Sequence, residues 1–335
     1  MTIELTGQQN IFFFSEDMEQ LFAAQNLLLG EPNHNLCSKI YGADRIAAWK
    51  SKFNYLFEVF SSVDINYSYG IFEFLLRCSM EQFSLAYFQD ILLKNEPEDF
   101  LAVFLKNISK EEIIAARESD EQLEALYEKY PTISKSYLGF SALIKNPKKL
   151  IVDFISFASD MNTDDFHREL EGIEKSIQVE RGKATDALQQ MEPLIYSEKL
   201  MGKTFYNRGP YQKFVFAPSL FLPCRAIRFF ENDQVLFYTI RNTALVDEDL
   251  HKQLKAIADS TRFQIMTMLN KNGPMRGMDL AAALSIAAST VSHHMDILYT
   301  VGLINEEQSK NTKYYSIGRI NINALLKRLS ETLGE

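Results

Sequence analysis

The sequence predicts a mainly α protein with small β elements, an α+β chain in two parts. A large helical domain with a short hairpin and sheet region is expected over residues 1–245, and a smaller module of short helices and a hairpin over 246–335. Three observations predict this. Apolar residues at helical spacing, punctuated by capping signals, run through the first 200 residues. Short aromatic and β-branched segments replace them after Gly202. From Leu250 onward, two helices joined at a tight turn precede a hairpin.

The chain has 335 residues, 46% of them hydrophobic and 24% charged, which is a globular composition long enough for two domains. It contains no uncharged apolar run long enough to span a membrane. The first twenty residues carry neither a basic n-region nor a cleavage signal, so no secretory leader is expected. The three cysteines, Cys37, Cys78 and Cys224, are odd in number and far apart, which fits a reducing, cytoplasmic setting. The net charge is −9, and it is unevenly placed. Ten Lys/Arg and ten Asp/Glu cancel from Val246 onward, so all the excess acidity falls on residues 1–245. An acidic body beside a neutral module would lower non-specific affinity for nucleic acid, because that affinity depends on phosphate neutralisation.

The elements follow in order. Ser15 is placed to cap a helix bearing Met18, Leu21, Phe22, Leu28 and Leu29, which Gly30 and Pro32 end. Ile46, Trp49, Phe53, Leu56, Phe57 and Phe60 make a second stripe. Ser109-Lys-Glu-Glu112 and Ser119-Asp-Glu-Gln122 read as capping boxes, and Asn146-Pro147 sets proline at a first helical position. A longer amphipathic run extends from Asp164 to about Met201, with Gly172 and Gly182 as expected interruptions. Phe214–Phe216, Ala226–Phe230 and Val235–Ile240 read as strands, the last two joined by a hairpin turn at Glu231–Gln234. Ser219–Leu222, between Pro218 and Pro223, reads as a loop or edge segment.

In the C-terminal module, Asp259-Ser260 can cap a helix bearing Phe263, Ile265, Met266 and Leu269, stopped by Gly273-Pro274. A short helix from Met278 to Leu284 leads through a Ser285–Ala287 turn into a helix over about Ala288–Tyr299. Val291, Met295 and Leu298 fall on one face of that helix and must be its core side. The opposite side carries Thr290, Ser292 and His293. Gly302 ends the helix, and a hairpin follows whose polar tip is Gln308-Ser-Lys-Asn-Thr312. This order suits a helix set in the DNA major groove, with a wing on the adjacent backbone. The expected DNA-binding residues are Ala288, Ser289, Thr290, Ser292 and His293 on the helix, and Lys310, Asn311 and Lys313 on the hairpin.

Four segments carry a specific resemblance. Leu254-Lys-Ala-Ile-Ala-Asp-Ser-Thr-Arg262, Ser289-Thr-Val-Ser-His-His294, Gly302-Leu303 and Tyr314-Tyr-Ser-Ile317 resemble, in order and spacing, the signatures of ArsR/SmtB-type winged helix-turn-helix transcriptional regulators. The resemblance implies a DNA-binding regulator acting as a homodimer on double-stranded operator DNA. Phe13–Trp49 and Ala217–Phe221 resemble a large domain found fused to such modules, which bears on architecture alone. Three positions depart from the family pattern. Arg276-Gly277-Met278 stands where many members carry Cys-x-Cys. Ser285 stands where a helix-ending glycine is common, and Ala287-Ala288 where a Ser-Gln pair usually opens the recognition helix.

Several other readings compete. Tandem His293-His294 points its two rings about 100° apart, a poor geometry for one ion, so no metal or cofactor is expected. The final helix, Ile320 to Leu333, lacks His, Asp and Cys; its stripe of Ile322, Leu325, Leu326 and Leu329 suits a dimer seam or packing on its own domain. The cysteines read as buried or idle rather than redox sensing. Phe12–Phe14, Trp49, Tyr67, Tyr69, Phe72 and Phe74 read as core before they read as a ligand pocket. No nucleotide-binding glycine loop, Gly-x-Ser-x-Gly, His-Glu-x-x-His or Cys-x-x-Cys occurs, so no enzyme is expected. The N-terminal domain is expected to answer a signal, such as a small-molecule effector. A scaffold recruiting another protein to DNA, or an enzyme domain fused to a DNA-binding module, remain the alternatives.

Overall fold

The computed structural model describes residues 2–5, 8–31, 35–204, 211–240, 246–309 and 312–318, and beyond these 321, 322, 325, 326, 329, 330 and 333. Its contacts divide the chain into two compact units, Met1–Arg181 with Tyr211–Thr239, and Gly182–Pro210 with Ile240–Glu335. The chain is mainly helical with two small sheets. No helix among the described residues is long and apolar enough to cross a membrane.

The first unit is built on a five-stranded sheet. Strands β1 (Thr2–Leu5) and β2 (Gln8–Phe12) open the chain; β4 (Lys213–Ser219), β5 (Ala226–Phe230) and β6 (Gln234–Thr239) come from its far end. The order is β1-β2-β4-β6-β5, parallel through β2, β4 and β6 and antiparallel at both edges. Central β4 is buried from Phe214 to Ser219, as a strand covered on both faces must be. Pro218, which has no N–H, sits where this costs little: β2 pairs with β4 only as far as Phe216. The β5–β6 hairpin turns at Glu231–Asp233, as its sequence predicts.

Helices α1 (Glu16–Leu28), α2 (Leu36–Lys52), α3 (Asn54–Ser62), α4 (Ile65–Ser68) and α5 (Leu85–Leu93) follow β2, and a 3-10 helix over Gly70–Arg77 packs on β5 and β6. Next come α6 (Pro97–Leu105), α7 (Lys110–Glu118), α8 (Asp120–Lys129), α9 (Tyr137–Lys145) and α10 (Pro147–Asp160). Three capping signals act, the second of them as an N-cap without the return bond of the expected box, the Ser119 N–H going to the Ala115 carbonyl instead. Ser109 and Glu112 exchange both bonds of a capping box, Ser119 accepts from the Gln122 N–H, and Pro147 opens α10.

Three expectations are corrected. Ser15 holds the N-cap position of α1, but its hydroxyl makes no cap bond. The helix is also buried on all sides, polar Glu19, Gln20, Gln25 and Asn26 included, rather than along one stripe. The run from Asp164 to Met201 is two helices, α11 (Asp164–Gln190) and α12 (Pro193–Met201). Gly172 and Gly182 weaken a helix without removing a donor and pass unbroken. Pro193 lacks the N–H and restricts the residue before it, so the break falls there.

Glu19 does the work of a hydrogen-bonding anchor inside the first unit. Its Oε2 accepts the backbone N–H groups of Leu220 and Phe221, each at 2.9 Å, and so fixes the buried Ser219–Leu222 loop against α1. Burial raises the Glu19 pKa to about 7, against the lowering effect of its hydrogen bonds. Phe22, Phe72 and Phe237 pack ring to ring beside it, and Phe72 meets Phe154, so Phe72, Phe74 and Trp49 are core residues.

In the second unit, helices α13 (Val246–Ala258), α14 (Ser260–Asn272), α15 (Gly277–Leu284) and α16 (Ala288–Thr300) enclose a core that includes Ile265, Leu269, Leu280, Val291, Met295 and Leu298. A four-stranded sheet of β3 (Lys203–Thr204), β7 (Met275–Arg276), β8 (Ile304–Ser309) and β9 (Thr312–Ile317) runs in the order β3-β8-β9-β7. Phe263, expected on the core side of α14, is 56% exposed.

Candidate nucleic-acid interface

The segment Leu254–Arg262 ties two helices together. Asp259 caps α14 by accepting the Arg262 N–H at 2.9 Å. The Arg262 guanidinium turns back to the end of α13, donating to the Ala256 and Lys255 carbonyls at 2.7 and 3.0 Å. One arginine therefore satisfies carbonyls that the helix end leaves open. The cap bond from Arg262 holds the Asp259 carboxyl below its usual range, with Arg262 and His294 charges adding to the effect.

The turn before α16 carries backbone strain. Ser285 ends α15 in the left-handed region, φ 56° and ψ 39°, where glycine would be unstrained. Ala287 occupies the N-cap of α16 and has no side chain to cap it; the first turn is closed by the Thr290 and Val291 N–H groups on the Ala287 carbonyl.

Helix α16 is divided cleanly into two faces. Val291, Met295 and Leu298 are at most 1% exposed. Ala288, Ser289, Thr290, Ser292 and His293 are all exposed, and form a surface of small polar groups with no acid among them. The two histidines separate. His293 faces solvent, while His294 is largely buried with its Nδ1 3.9 Å from Asp259 Oδ1. Their ring centroids lie 6.2 Å apart.

After α16, Gly302 turns the chain with a φ of 74°, and Leu303 plugs the core. The Gly318 N–H donates to the Leu303 carbonyl, and a Cβ on Gly318 would lie 2.7 Å from the Gly302 carbonyl oxygen. That contact keeps the hairpin base close to the helix end. The hairpin pairs Gln308 with Lys313 and Ser309 with Thr312. Lys310 and Asn311 lie outside the described residues. Lys313 is exposed, with its ammonium 3.2 Å from Glu306 Oε2 across the hairpin. Sequence reasoning expected only the hairpin and missed the two outer strands of this sheet, β3 and β7. β3 pairs in parallel with β8, the Glu306 N–H donates to the Gly202 carbonyl, and the Tyr299 hydroxyl donates to the Met201 carbonyl. Two residues of strand offer no sequence signal.

The donor set at the Cys-x-Cys position does not fit a metal. Arg276 forms a two-pronged bond with Asp279, Nε to Oδ2 at 2.8 Å and Nη2 to Oδ1 at 2.6 Å, and Met278 is exposed. A guanidinium repels a cation and uses up the one nearby carboxylate. Among the described residues, no three His, Cys, Asp or Glu side chains gather around a point where an ion could sit. Two of the cysteines, Cys37 and Cys78, are poor nucleophiles. Burial raises Cys37 well above the usual thiol range and Cys78 to about 12.

The family described as "Bacterial regulatory protein, arsR family" matches residues 259–306. The arsenical resistance operon repressor of Bacillus subtilis is 32% identical over 75 residues, covering 22% of this chain and 71% of that protein. A cadmium resistance transcriptional regulatory protein CadC homolog of Staphylococcus aureus is 28% identical over 80 residues, 24% of this chain; the match spans 66% of that relative's length. The solution structure of a homodimeric winged helix-turn-helix DNA-binding domain from Mycobacterium bovis is 26% identical, covering 28% of this chain and 89% of that one, with a TM-score of 0.23.

Proposed function

Since the chain belongs to the ArsR family through its C-terminal DNA-binding domain, we propose that the whole protein is a cytoplasmic, dimeric, repressor-like transcriptional regulator. In this reading, residues 246–335 bind operator DNA and residues 1–245 receive a signal other than a metal ion. The observation that carries the reading is the two-faced α16. Val291, Met295 and Leu298 fix it to the module, leaving Ser289, Thr290, Ser292 and His293 free to meet base edges. The hairpin tip, with Lys310, Asn311 and Lys313, lies on the adjacent phosphates. Leu326 and Leu333, one helical repeat of seven apart, are 59% and 77% exposed, and offer an apolar seam to a second copy. Leu325 by contrast is buried in the module's own core, with Ile322 and Leu329 packed against it. The paired Arg276 in place of a thiolate supports a signal of another kind. We assign the chain no catalytic step. The signal is proposed to act by changing the spacing of the two winged helices of the dimer.

Selection of duplexes from a random pool by the full-length protein tests this reading. A shared pseudo-palindrome with half-sites one or two helical turns apart is the expected outcome. Enrichment of no common sequence contradicts it.

A further inference from the structure

The outer side of β8 is taken by a strand that lies well before the winged module in sequence. β3 runs parallel to β8 and pairs Lys203 with Glu306 and Thr204 with Glu307. Gln308 and Ser309, at the tip end of β8, pair with β9 but not with β3. The base of the hairpin is therefore held from both sides and its tip from one. An uncovered strand edge invites pairing with any other strand, and β3 closes that edge at the base.

Two consecutive carbonyls seat this segment. Met201 accepts the Tyr299 hydroxyl at 3.2 Å, and Gly202 accepts the Glu306 N–H at 3.2 Å. Tyr299 stands in the last turn of α16 and Glu306 in the first strand of the hairpin. One turn of backbone thus touches both the helix and the hairpin and restrains the angle between them. That turn depends on Gly202, which ends α12 at φ 69° and ψ 27°. This left-handed conformation is open to glycine and, at some cost, to asparagine. Behind it α12 is anchored, with Tyr196, Ser197 and Met201 buried. Glu306 is also the residue whose carboxylate meets Lys313, so the seat fixes the backbone opposite the hairpin's exposed cation.

We propose that α12 and β3 form a positioning strap, which holds the hairpin at the angle to α16 at which both meet one duplex. This deepens the DNA-binding reading above and rests on it. A hairpin pivots about its base, so a small rotation there displaces the tip by far more, and the bonds at Met201 and Gly202 oppose that rotation. With the strap seated, helix and hairpin present a preformed surface, and less ordering is left for the binding step. With it unseated, the hairpin keeps its pairing with β9. The hydrophobic cluster of the module draws on residues from Leu250 to Leu329 and, among the described residues, on none of α12 or β3. What unseating removes is therefore the phosphate contact of the hairpin and not the fold of the module.

Duplex binding and hydrogen exchange of the full-length protein together test the strap. Gly202→Val forbids the left-handed turn, and Gly202→Asn, which tolerates it, serves as the rescue. In Gly202→Val the β8 amides should lose protection. Its affinity for every duplex should fall about tenfold, with a log–log salt slope flatter by about one unit. Preference for the selected duplex over random DNA, read by α16, should remain. Gly202→Asn should exchange and bind as the wild type does. Tyr299→Phe keeps its ring and should weaken all duplexes about fivefold, the worth of one neutral hydrogen bond. A lower midpoint temperature with wild-type affinity and salt slope would show a strand that only stabilises, and would overturn the proposal. Unchanged exchange at β8 in Gly202→Val, or an equal loss of binding in Gly202→Asn, would overturn it too. Should Gly202→Val fail to fold, Tyr299→Phe decides, and wild-type affinity in that variant counts against the strap. Failure of the wild type to bind any duplex removes the proposed function itself. It is distinct from failure of the strap, in which wild type and variants bind alike.

Discussion

His294, on α16, lies with its Nδ1 3.9 Å from Oδ1 of Asp259, the residue that caps α14. The carboxylate that starts one helix thus also receives a side chain from α16. The neighbouring His293 is left to solvent, so two adjacent histidines divide between packing and the exposed face of α16. Asp259→Ala should cost about 1 kcal/mol through the cap alone, measured by urea unfolding. Asp259→Asn keeps an acceptor for the Arg262 N–H and should cost less. Equal losses in the two variants would remove the cap from the explanation.

Glu19 sets a pH dependence. Its pKa is about 7 in the folded chain and 4.5 as the ordinary value, so the folded state holds its proton longer than the unfolded state. A raised carboxyl pKa gives stability that is complete below about 4.5 and is lost as pH rises through about 7. The loss is on the order of 3 kcal/mol at pH 8, from a gap of about two and a half pKa units. Glu19→Gln retains a carbonyl oxygen for the Leu220 and Phe221 N–H groups and cannot ionise. The variant should therefore be more stable than the wild type at pH 8 and show a flatter profile between pH 5 and 8. A wild-type profile in Glu19→Gln would contradict this assignment.

Ser285→Gly should stabilise the second unit by about 1 kcal/mol, because the left-handed backbone is retained and the Cβ penalty removed. Ser285 is exposed, so no packing is lost with its side chain. A fall in midpoint temperature would show that the serine contributes a contact.

Much of this C-terminal module was legible in the sequence because its signals are local. Asp259 caps within three residues, Val291, Met295 and Leu298 repeat within two turns, and Gly302 ends the helix it follows. The first unit hides its logic in long-range pairing. Gln8–Phe12 carries no strand signal of its own, and becomes a strand by pairing with β1 and with β4, some two hundred residues later. A helix carrying Glu19, Gln20, Gln25 and Asn26 reads as amphipathic, yet those groups are buried, Glu19 by serving as the acceptor for a distant loop.

The Glu306–Lys313 pair predicts how the hairpin behaves towards phosphate. Glu306 already draws on the Lys313 charge, and its side chain is 12% exposed. Glu306→Gln should strengthen binding to all duplexes alike and steepen the log–log salt dependence by up to about one unit. Lys310→Ala should weaken all duplexes and flatten the slope by about the same amount. An effect of either change confined to one sequence would assign the hairpin to base readout.

Metal independence is the outcome expected from the Arg276–Asp279 pair and the missing thiolates at that position. Zinc, cadmium and arsenite should leave the protein on its selected duplex in a fluorescence anisotropy titration. Stoichiometric zinc in the purified protein, coupled to release from DNA, would contradict this expectation.

The central claim is that the exposed face of α16 reads DNA, and replacing Ser292 and His293 together with alanine tests it most directly. Both side chains are exposed and opposite the Val291, Met295 and Leu298 core, so the variant should fold as the wild type does by circular dichroism. The account predicts a loss of discrimination between the selected duplex and random DNA of about 1–3 kcal/mol for each base contact removed, with non-specific binding and its salt dependence little changed. Wild-type discrimination by the correctly folded double variant would take α16 out of recognition and contradict the account.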